Sequence, residues 1–474
     1  MDSKAFREYG YKIVDWIAEY MDHIEEYPVL AQVEPDTIKQ QLPRNPPRDP
    51  EQMDGILADF KQIIIPGMTH WQHPSFFAYF PANTSEPSIL AEFLTAALGA
   101  QCMLWKTSPA ATELEDVVME WLRQMLQLPE EFSGVIQDTA STSTLCALLC
   151  ARERSTNFAV NRQGFSGGTR QPLTIYASEE AHSSVEKAVK IAGFGKEYLR
   201  LIAADDRFAM IPQELEKAII ADQKDGYLPC CAVATVGTTS STGLDPLKAI
   251  GNICRDHRLW FHVDAALAGS AAILPEMRHI LDGIELADSL VFNPHKWLFT
   301  NFDCSAYFCR DHKSLTATFE ILPEYLKTDE DRKVKNFRDW GIPLGRRFRA
   351  LKLWFVIRSF GVAGLQERLR RHIALANEFA SWVGKDPRFE VLAPVDVNLV
   401  CFRYNPPDRS MSESELTSVN KVLMDRINRS GALFMTHTKL KGKFALRLCV
   451  GQTATTKVHV ERAWEHILAE GARL

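Results

Sequence analysis

The sequence lacks the features that mark membrane, secreted and nucleic-acid-binding proteins. None of its apolar runs approaches the ~20 residues that a membrane-spanning helix needs. Residues 1–10 contain no basic segment followed by an apolar core, so no secretory signal is expected. A net charge of −6 and a pI near 6.1 argue against a polyanionic partner. We therefore expect no membrane and no nucleic acid among its partners.

Paired cysteine motifs are also missing. The ten cysteines include no CxxC pair and no histidine at a metal-ligand spacing. Several lie among apolar neighbours, where a reduced cysteine behaves as a small hydrophobic residue: Cys146, Cys150, Cys304 and Cys401. The pattern predicts a reducing compartment, the cytoplasm, and no metal site.

The composition is that of an ordinary globular protein, with 46% hydrophobic and 24% charged residues in 474. A chain of this length is expected to form more than one domain. We predict an N-terminal helical arm with an aromatic segment (1–85), a large α/β domain (86–351) and a small α+β domain (352–474). The arm has little core of its own, so it must pack on the main body or, as we favour, on a second subunit.

Strand-like and helix-like patterns alternate through the large domain. Strands are predicted at 134–137, 173–177, 231–235, 260–263 and 289–292, with helical segments between them. This rhythm is typical of a mostly parallel sheet covered by helices, with ligands at the carboxyl ends of the strands. Polar residues follow those ends: His182, the segment 237–243 with Thr239, Asp264, Asn293, His295 and Lys296. We expect them to share one edge of the sheet.

The stretch 289–300, SLVFNPHKWLFT, places a lysine directly after a buried strand. Pro294 cannot continue a β-ladder, so the strand ends and delivers His295 and Lys296. Trp297 and Leu298 anchor the other side. A partly buried lysine loses its charge more readily, as an amine that bonds to a carbonyl requires. On this stretch alone, a lysine whose stem lies along the core is an equal alternative.

Two further segments carry candidate binding residues. The turn DTASTST (138–144) opens an apolar helix, where backbone N–H groups and hydroxyls bind phosphate; a simple N-cap is the alternative. The segment 70–85 is rich in aromatic residues and contains two prolines. It is either a packed loop or a wall for a flat substrate, built from Trp71, Tyr79, Phe80 and Pro81. The charged segment 325–338 is predicted to be an exposed loop.

Together these residues match the requirements of pyridoxal phosphate. Lys296 would bond to its aldehyde, and Asp264 would keep its pyridine nitrogen protonated so that the ring accepts electrons. His182 would stack on the ring. The phosphate would lie on the helix start, with Asn293 as a further donor; the residues assigned to that helix start are Thr139, Ala140 and Ser141.

Several motifs of the sequence resemble those of one enzyme family. HVDAA, NPHKW, AHSSVEKA, GTT, FDCS and IPLGRRFRALKLW are similar to the aromatic L-amino acid decarboxylases, group II of the fold-type I pyridoxal-phosphate enzymes. The likeness covers nearly the whole chain. It implies decarboxylation of an aromatic L-amino acid such as tryptophan, dopa, 5-hydroxytryptophan, tyrosine or phenylalanine. It also implies a homodimer whose active site lies at the subunit interface.

The resemblance implies roles for individual residues. Lys296, Asp264 and His182 keep the roles given above, and Tyr325 matches a loop tyrosine that protonates Cα. Further cofactor-binding positions are Thr139, Ala140, Ser141, Thr239, Ala266, Asn293 and His295, and the substrate positions are Trp71, Tyr79, Phe80, Pro81, Gln101, Met103 and Gly345.

Departures from the family pattern bear on the substrate. Gln101 and Met103 stand where animal dopa decarboxylases have Ile and Phe, and Gly345 stands where histidine decarboxylases have serine, which favours a bulky aromatic ring. Alternatives on the same fold are an aminotransferase, for which Arg447 is a candidate carboxylate clamp, and an aromatic acetaldehyde synthase. A non-enzymatic scaffold is disfavoured by intact Lys296 and Asp264.

Overall fold

The computed structural model describes residues 1–169, 171–321 and 333–474. The chain forms two compact units: a larger one of residues 82–377 and 393–400, and a smaller one of residues 1–81, 378–392 and 401–474. The division into 1–85, 86–351 and 352–474 stays a prediction. The α-helices are α1 Ser3–Asp22, α2 Thr37–Gln41, α3 Met53–Asp59, α4 Glu86–Leu98, α5 Pro109–Met125, α6 Ala140–Ser155, α7 Ala159–Gly168, α8 Ser184–Ile191, α9 Pro212–Lys224, α10 Leu247–His257, α11 Pro294–Trp297, α12 His312–Phe319, α13 Arg349–Lys385, α14 Glu413–Arg429 and α15 Lys457–Gly471.

The larger unit is built on a seven-stranded sheet with the order β1-β7-β6-β5-β4-β2-β3. Neighbouring strands from β3 to β6 run parallel, whereas β7 runs antiparallel to both β6 and β1. The prediction of a mostly parallel sheet with covering helices is confirmed. The strands are β1 Ser133–Gln137, β2 Leu173–Ser178, β3 Leu199–Ile202, β4 Leu228–Thr235, β5 Trp260–Asp264, β6 Ser289–Phe292 and β7 Ser305–Cys309.

Burial on both faces explains why the inner strands read as continuous apolar runs rather than alternating ones. Every residue of β5, β6 and β7 is buried. Trp260, Tyr307 and the cysteines of α6 belong to the core cluster between the sheet and its helices. This packing fixes the strand ends, and therefore the residues that follow them.

Two helices begin at residues other than those that the sequence pattern predicts, which are Ile342 for the long helix after the charged segment and Leu145 for the helix after the polar turn 138–144. Helix α13 begins at Arg349 and not at Ile342, because Pro343 and Gly345 interrupt the preceding segment. It breaks at Gly361, which has a φ of 64°, and then resumes to Lys385. Helix α6 begins at Ala140, so most of the polar turn 138–144 forms its first turn.

The smaller unit contains a four-stranded sheet with the order β10-β11-β9-β8, formed by β8 Phe389–Val391, β9 Leu399–Tyr404, β10 Thr436–Leu440 and β11 Lys443–Cys449. Strands β10 and β11 form a hairpin that closes over Lys441 and Gly442, both with positive φ, as a tight two-residue turn demands. A capping box between Ser412 and Glu415 starts α14. The prediction of α+β structure near the C-terminus is confirmed.

Candidate functional site

Six strands of the larger unit, β1 to β6, point their carboxyl ends to the same edge of the sheet. Strand β7 is antiparallel to both of its neighbours, so β1 runs in the direction of β6 and its parallel partners. The segments that leave these strands carry the predicted residues: Thr139 after β1, His182 after β2, Thr239 after β4, Asp264 at the end of β5, and Lys296 after β6. The structure therefore gathers the predicted cofactor residues at one edge.

Lys296 is fixed by the short turn that follows β6. Its backbone N–H donates to Asn293 O at 2.9 Å, and Asn293 N–H donates to Ala266 O at 3.0 Å. The Asn293 side chain is held in turn, since Ser305 Oγ donates to Asn293 Oδ1 at 2.7 Å. Lys296 is half-buried, while Trp297 beside it is fully buried. The amine is thus carried on a rigid segment between apolar anchors, as predicted.

His182 lies close enough to Asp264 and to Lys296 to interact electrostatically with both. Asp264 is buried, and its Oδ1 accepts the Ala266 N–H at 3.0 Å. The surrounding protein lowers the pKa of His182; the Asp264 carboxylate opposes this shift and the Lys296 ammonium adds to it. Ser184 orients the imidazole through a 2.8 Å hydrogen bond at Nδ1. Part of the His182 ring remains exposed, which leaves room for a flat ligand.

The start of α6 offers groups suited to a phosphate. Thr139 is the N-cap and its hydroxyl accepts the Thr142 N–H at 3.4 Å. Ala140 and Ser141 form the first turn, and the Ser141 hydroxyl is exposed. The first-turn N–H groups and the positive end of a 16-residue helix favour an anion here.

The loop that carries Thr239 is held by a buried carboxylate. Asp245 Oδ1 accepts Met210 N–H, and Oδ2 accepts Thr235 N–H, both at 2.7 Å. Burial raises the pKa of Asp245 to about 7, while these two bonds oppose the shift. Gly237 approaches Ala268 so closely that a Cβ would lie 2.8 Å from the alanine Cβ, and its φ of 89° also requires glycine. Thr239 itself is exposed at the tip.

His295 is buried beside the lysine and serves the local fold. Its Nδ1 accepts the Cys304 N–H at 2.9 Å, and its carbonyl accepts the Asn83 N–H at 3.0 Å. Burial, with a contribution from Lys296, lowers its pKa to about 3. The ring is therefore neutral at physiological pH, so it can offer a hydrogen bond to a phosphate but no charge.

The predicted aromatic wall belongs to the smaller unit. Trp71 and Tyr79 stack with ring centroids 5.8 Å apart, and Arg447 lies over the Phe80 ring at 5.5 Å. Arg447 Nη1 also donates to Thr436 Oγ1 at 3.1 Å. Trp71 and Tyr79 keep exposed faces, whereas Phe80 and Pro81 are buried. Tyr325 lies outside the described residues.

The three predicted substrate positions of the larger unit lie on two segments that are hydrogen-bonded to each other. Gln101 Oε1 accepts the Arg346 N–H at 2.6 Å, next to Gly345. Met103 O accepts the Arg338 N–H at 3.0 Å. The structure thus brings Gln101, Met103 and Gly345 into one neighbourhood, which no local pattern in the sequence indicates.

Sequence reasoning missed the residues that hold the site in place. Ser305 fixes Asn293, Asp245 fixes the Thr239 loop, and Glu115 pairs with Arg346. Ser305 lies in the FDCS motif and Asp245 ends the segment after GTT, so both were near recognised motifs. Their role depends on contacts between distant strands, which a linear pattern does not reveal.

The residues present fit pyridoxal phosphate. A buried carboxylate needs a cationic partner, which a protonated pyridine nitrogen supplies. The other three parts of the cofactor also have suitable partners. The exposed face of His182 suits the ring, the start of α6 suits the phosphate, and the half-buried Lys296 suits the aldehyde. Within the described ranges, no group of three or more His, Cys, Asp or Glu could hold a metal ion, and no helix is long and apolar enough to cross a membrane.

Comparison with known proteins defines the class. Residues 35–405 match the family described as "Pyridoxal-dependent decarboxylase conserved domain". The chain is 44% identical to tryptophan decarboxylase 2 of Oryza sativa subsp. japonica, covering all of this chain and 96% of that protein. It is also 44% identical to phenylacetaldehyde synthase of Arabidopsis thaliana, covering 100% and 97%. The crystal structure of Oryza sativa TDC with PLP and tryptamine superposes with a TM-score of 0.96 at 38% identity, covering 100% and 99%.

This chain belongs to the pyridoxal-dependent decarboxylase family, and its fold is that of the fold-type I enzymes. Its cofactor is pyridoxal 5′-phosphate, and the protein is a decarboxylase.

Proposed function

We propose that this enzyme decarboxylates aromatic L-amino acids to the corresponding amine and carbon dioxide. The observation that carries the proposal is the convergence of Lys296, Asp264 and His182 at the carboxyl edge of the sheet, next to the start of α6. Relatives over the full length include tryptophan, tyrosine and aromatic-L-amino-acid decarboxylases. The aromatic residues with exposed faces, Trp71 and Tyr79, are our candidates for contact with the substrate ring.

Each residue is assigned a task that its surroundings favour. Lys296 Nζ would bond to the cofactor aldehyde and give way to the substrate amine. Asp264 would hold a proton on the pyridine nitrogen, and its burial strengthens that charge-assisted bond. When bound, pyridoxal phosphate accepts the electron pair that the departing carboxylate leaves at Cα. His182 would cover one face of the cofactor ring.

The remaining tasks are binding the phosphate, packing the ring and returning a proton. Thr139, Ala140, Ser141 and Asn293 would bind the phosphate, with His295 as a neutral neighbour. Ala266 would lie on the face opposite His182, and Thr239 near the 3′-oxygen. Tyr325 would return a proton to Cα, so that the amine and not an oxidised product is released.

We also infer a cytoplasmic homodimer. Helix α1 has no buried residue, and three of its exposed residues are large and apolar: Phe6, Tyr11 and Val14. On α4, Leu90, Leu94 and Leu98 form a second exposed apolar row. Exposed apolar rows of this kind mark interaction surfaces, and a second copy of the chain is the partner that we propose.

All ten cysteines are free and buried, in keeping with a reducing compartment.

An aromatic acetaldehyde synthase is the second candidate, because the Arabidopsis relative is as similar as the rice decarboxylase. The two activities differ in their products. The test is to incubate the holoenzyme with tryptophan, dopa, 5-hydroxytryptophan, tyrosine and phenylalanine, and to measure carbon dioxide, amine, aldehyde, keto acid and dissolved oxygen. Amine without oxygen uptake supports the proposal. Aldehyde with oxygen uptake supports the synthase, and keto acid without carbon dioxide would indicate an aminotransferase.

A further inference from the structure

The segment that carries Lys296 is anchored in the core by its neighbour Trp297. Both residues belong to α11, a single helical turn after which Leu298 N–H donates to Pro294 O at 3.0 Å. Consecutive residues of a helix point about 100° apart, so Trp297 lies fully buried in the core while Lys296 stays half-buried. A movement of the indole that shifts the backbone of Trp297 therefore also shifts Lys296.

The position of this indole is set by a buried histidine from a distant helix. Trp297 Nε1 donates to His372 Nδ1 at 2.9 Å, and His372, on α13, is itself fully buried. The two rings are nearly parallel, with an interplanar angle of 14°. Because an indole N–H only donates, the nitrogen that faces it carries no proton, so His372 is neutral and its proton is on Nε2.

The same imidazole also contacts the turn that follows Trp297. The ring centroids of Phe299 and His372 lie 5.9 Å apart. Phe299 has a φ of 55°, which is costly for a residue other than glycine, and its N–H donates to Asn83 Oδ1 at 3.2 Å. His372 therefore holds both aromatic side chains of the turn that follows Lys296.

The hydrogen bond of Trp297 has no replacement nearby. Among the described residues, His372 Nδ1 is the one acceptor for the indole N–H. A buried donor that loses its acceptor carries the cost of its desolvation, and it is driven to move towards another acceptor or towards water. Without His372 Nδ1, the indole would leave its present position and α11 would move with it.

We propose that His372 is a positioning residue for the Lys296 amine and acts through its hydrogen bond to Trp297. This inference rests on the proposed function, in which Lys296 bonds to the cofactor. Loss of the bond displaces the amine, so the cofactor should be held more weakly and the reaction should be slower. Contacts of the substrate with other residues are unaffected, so KM should change little.

The test is a double-mutant cycle on the holoenzyme with His372→Leu and Trp297→Phe, each of which removes one partner of the bond. His372→Leu should raise the dissociation constant of pyridoxal phosphate and lower kcat, each about tenfold, with KM within about twofold. In the Trp297→Phe background, the same substitution should change neither quantity by more than about twofold. An equal loss in both backgrounds would show that His372 acts by packing alone and would overturn the proposal.

A conservative variant tests the acceptor itself. His372→Asn places Oδ1 near the position of Nδ1, so cofactor binding and kcat should stay within about threefold of the wild type. Trp297→Phe supplies the tenfold loss for comparison if His372→Leu does not fold. A loss in His372→Asn as large as that in Trp297→Phe would contradict the role of the hydrogen bond.

The matched control removes a buried histidine elsewhere. His459 belongs to the smaller unit, and its Nδ1 bonds to Thr456 Oγ1 at 2.9 Å. His459→Leu should lower the melting temperature but leave the dissociation constant of pyridoxal phosphate unchanged. A tenfold weaker cofactor in this variant as well would show that general destabilisation causes the effect.

Chemical mapping separates this inference from the proposed function. Borohydride reduction of the holoenzyme, followed by mass analysis of its peptides, identifies the lysine that bonds to pyridoxal phosphate. Labelling of another lysine would overturn the proposed role of Lys296 and this inference with it. Labelling of Lys296, together with unchanged cofactor binding in both His372→Leu and Trp297→Phe, would overturn the inference alone.

Discussion

At the residue scale, the rigid turn around Lys296 allows a direct test of the covalent link to the cofactor. Lys296→Ala should lose the visible absorption of the bound cofactor and all multiple turnover. The fold should persist, because the side chain is only half-buried and the turn is held by backbone bonds. Absorption spectra and far-UV circular dichroism measure both outcomes, with the exposed Lys217→Ala as control. A borohydride-reducible adduct at normal stoichiometry in Lys296→Ala would mean that another lysine bonds to the cofactor.

Asp264 tests the electron-accepting role of the cofactor ring. Asp264→Asn keeps the size of the side chain but removes its charge, and a charge-assisted bond in a buried site contributes roughly 3 kcal/mol. The kcat for decarboxylation should therefore fall at least about a hundredfold, while the melting temperature changes little. Activity within tenfold of the wild type would contradict the assignment.

His262 gives a prediction on pH and stability. It is fully buried two residues before Asp264, and its Nδ1 bonds to Ser289 Oγ at 2.9 Å. Burial lowers its pKa to about 4, below the value of about 6.5 in the unfolded chain. Between these values the unfolded chain binds the additional proton, so the stability that neutral His262 contributes is present above pH 6.5 and is lost as the pH falls towards 4.

The corresponding variant is His262→Asn, which retains hydrogen-bonding groups and does not titrate. The free energy of unfolding should depend less steeply on pH in the variant, by up to about 1.4 kcal/mol per pH unit. Calorimetric melting at pH 7, 6 and 5 measures the difference between the two proteins. Parallel profiles would show that the ring is already protonated, or not buried, in the folded enzyme.

At the scale of elements, the segment that contains Tyr325 is expected to decide the product. Tyr325→Phe removes the phenol proton and keeps the ring, so amine yield should fall steeply while carbon dioxide is still released. Oxygen uptake and aldehyde should appear under air and not under nitrogen. Wild-type amine yield without oxygen uptake would exclude Tyr325 as the proton donor.

The strands differ in how far the sequence could predict them. Strands β4, β5 and β6 were predictable because they are apolar runs that end in a polar residue or are followed directly by one. Strand β3 was not, because it is only four residues long and Ile202 is its one buried residue, whereas Arg200 is charged and Leu201 is exposed. Strand β7 was missed because its pairing with β1 and β6 depends on residues far apart in the chain. The candidate cofactor residues could be proposed from the strand ends, whereas the contact of Gln101 with Arg346 spans 245 positions and leaves no local pattern.

For the whole molecule, the exposed apolar residues of α1 predict how the enzyme assembles. Replacing Phe6 and Tyr11 together by serine should raise the dissociation constant of the proposed dimer at least about tenfold, because the two exposed aromatic side chains would no longer be there to be buried on association. Sedimentation velocity over a concentration series measures the change. Arg7→Ser, on the same helix, is the control. An unchanged dimer would place the subunit interface elsewhere.

The position of β7 also determines when, during synthesis of the chain, the large sheet can be completed. Residues 133–137 remain without their sheet neighbour until residues 305–309 have been synthesised, since β7 joins β1 to β6. The start of α6 and the segment with Lys296 therefore acquire their final geometry together, late in translation. Closure of such long-range pairs is slow, and the nascent sheet edge stays exposed to other chains meanwhile. Nascent chains stalled before residue 300 should accordingly be cut by protease within 133–137, whereas chains extended well beyond residue 309 should be protected there.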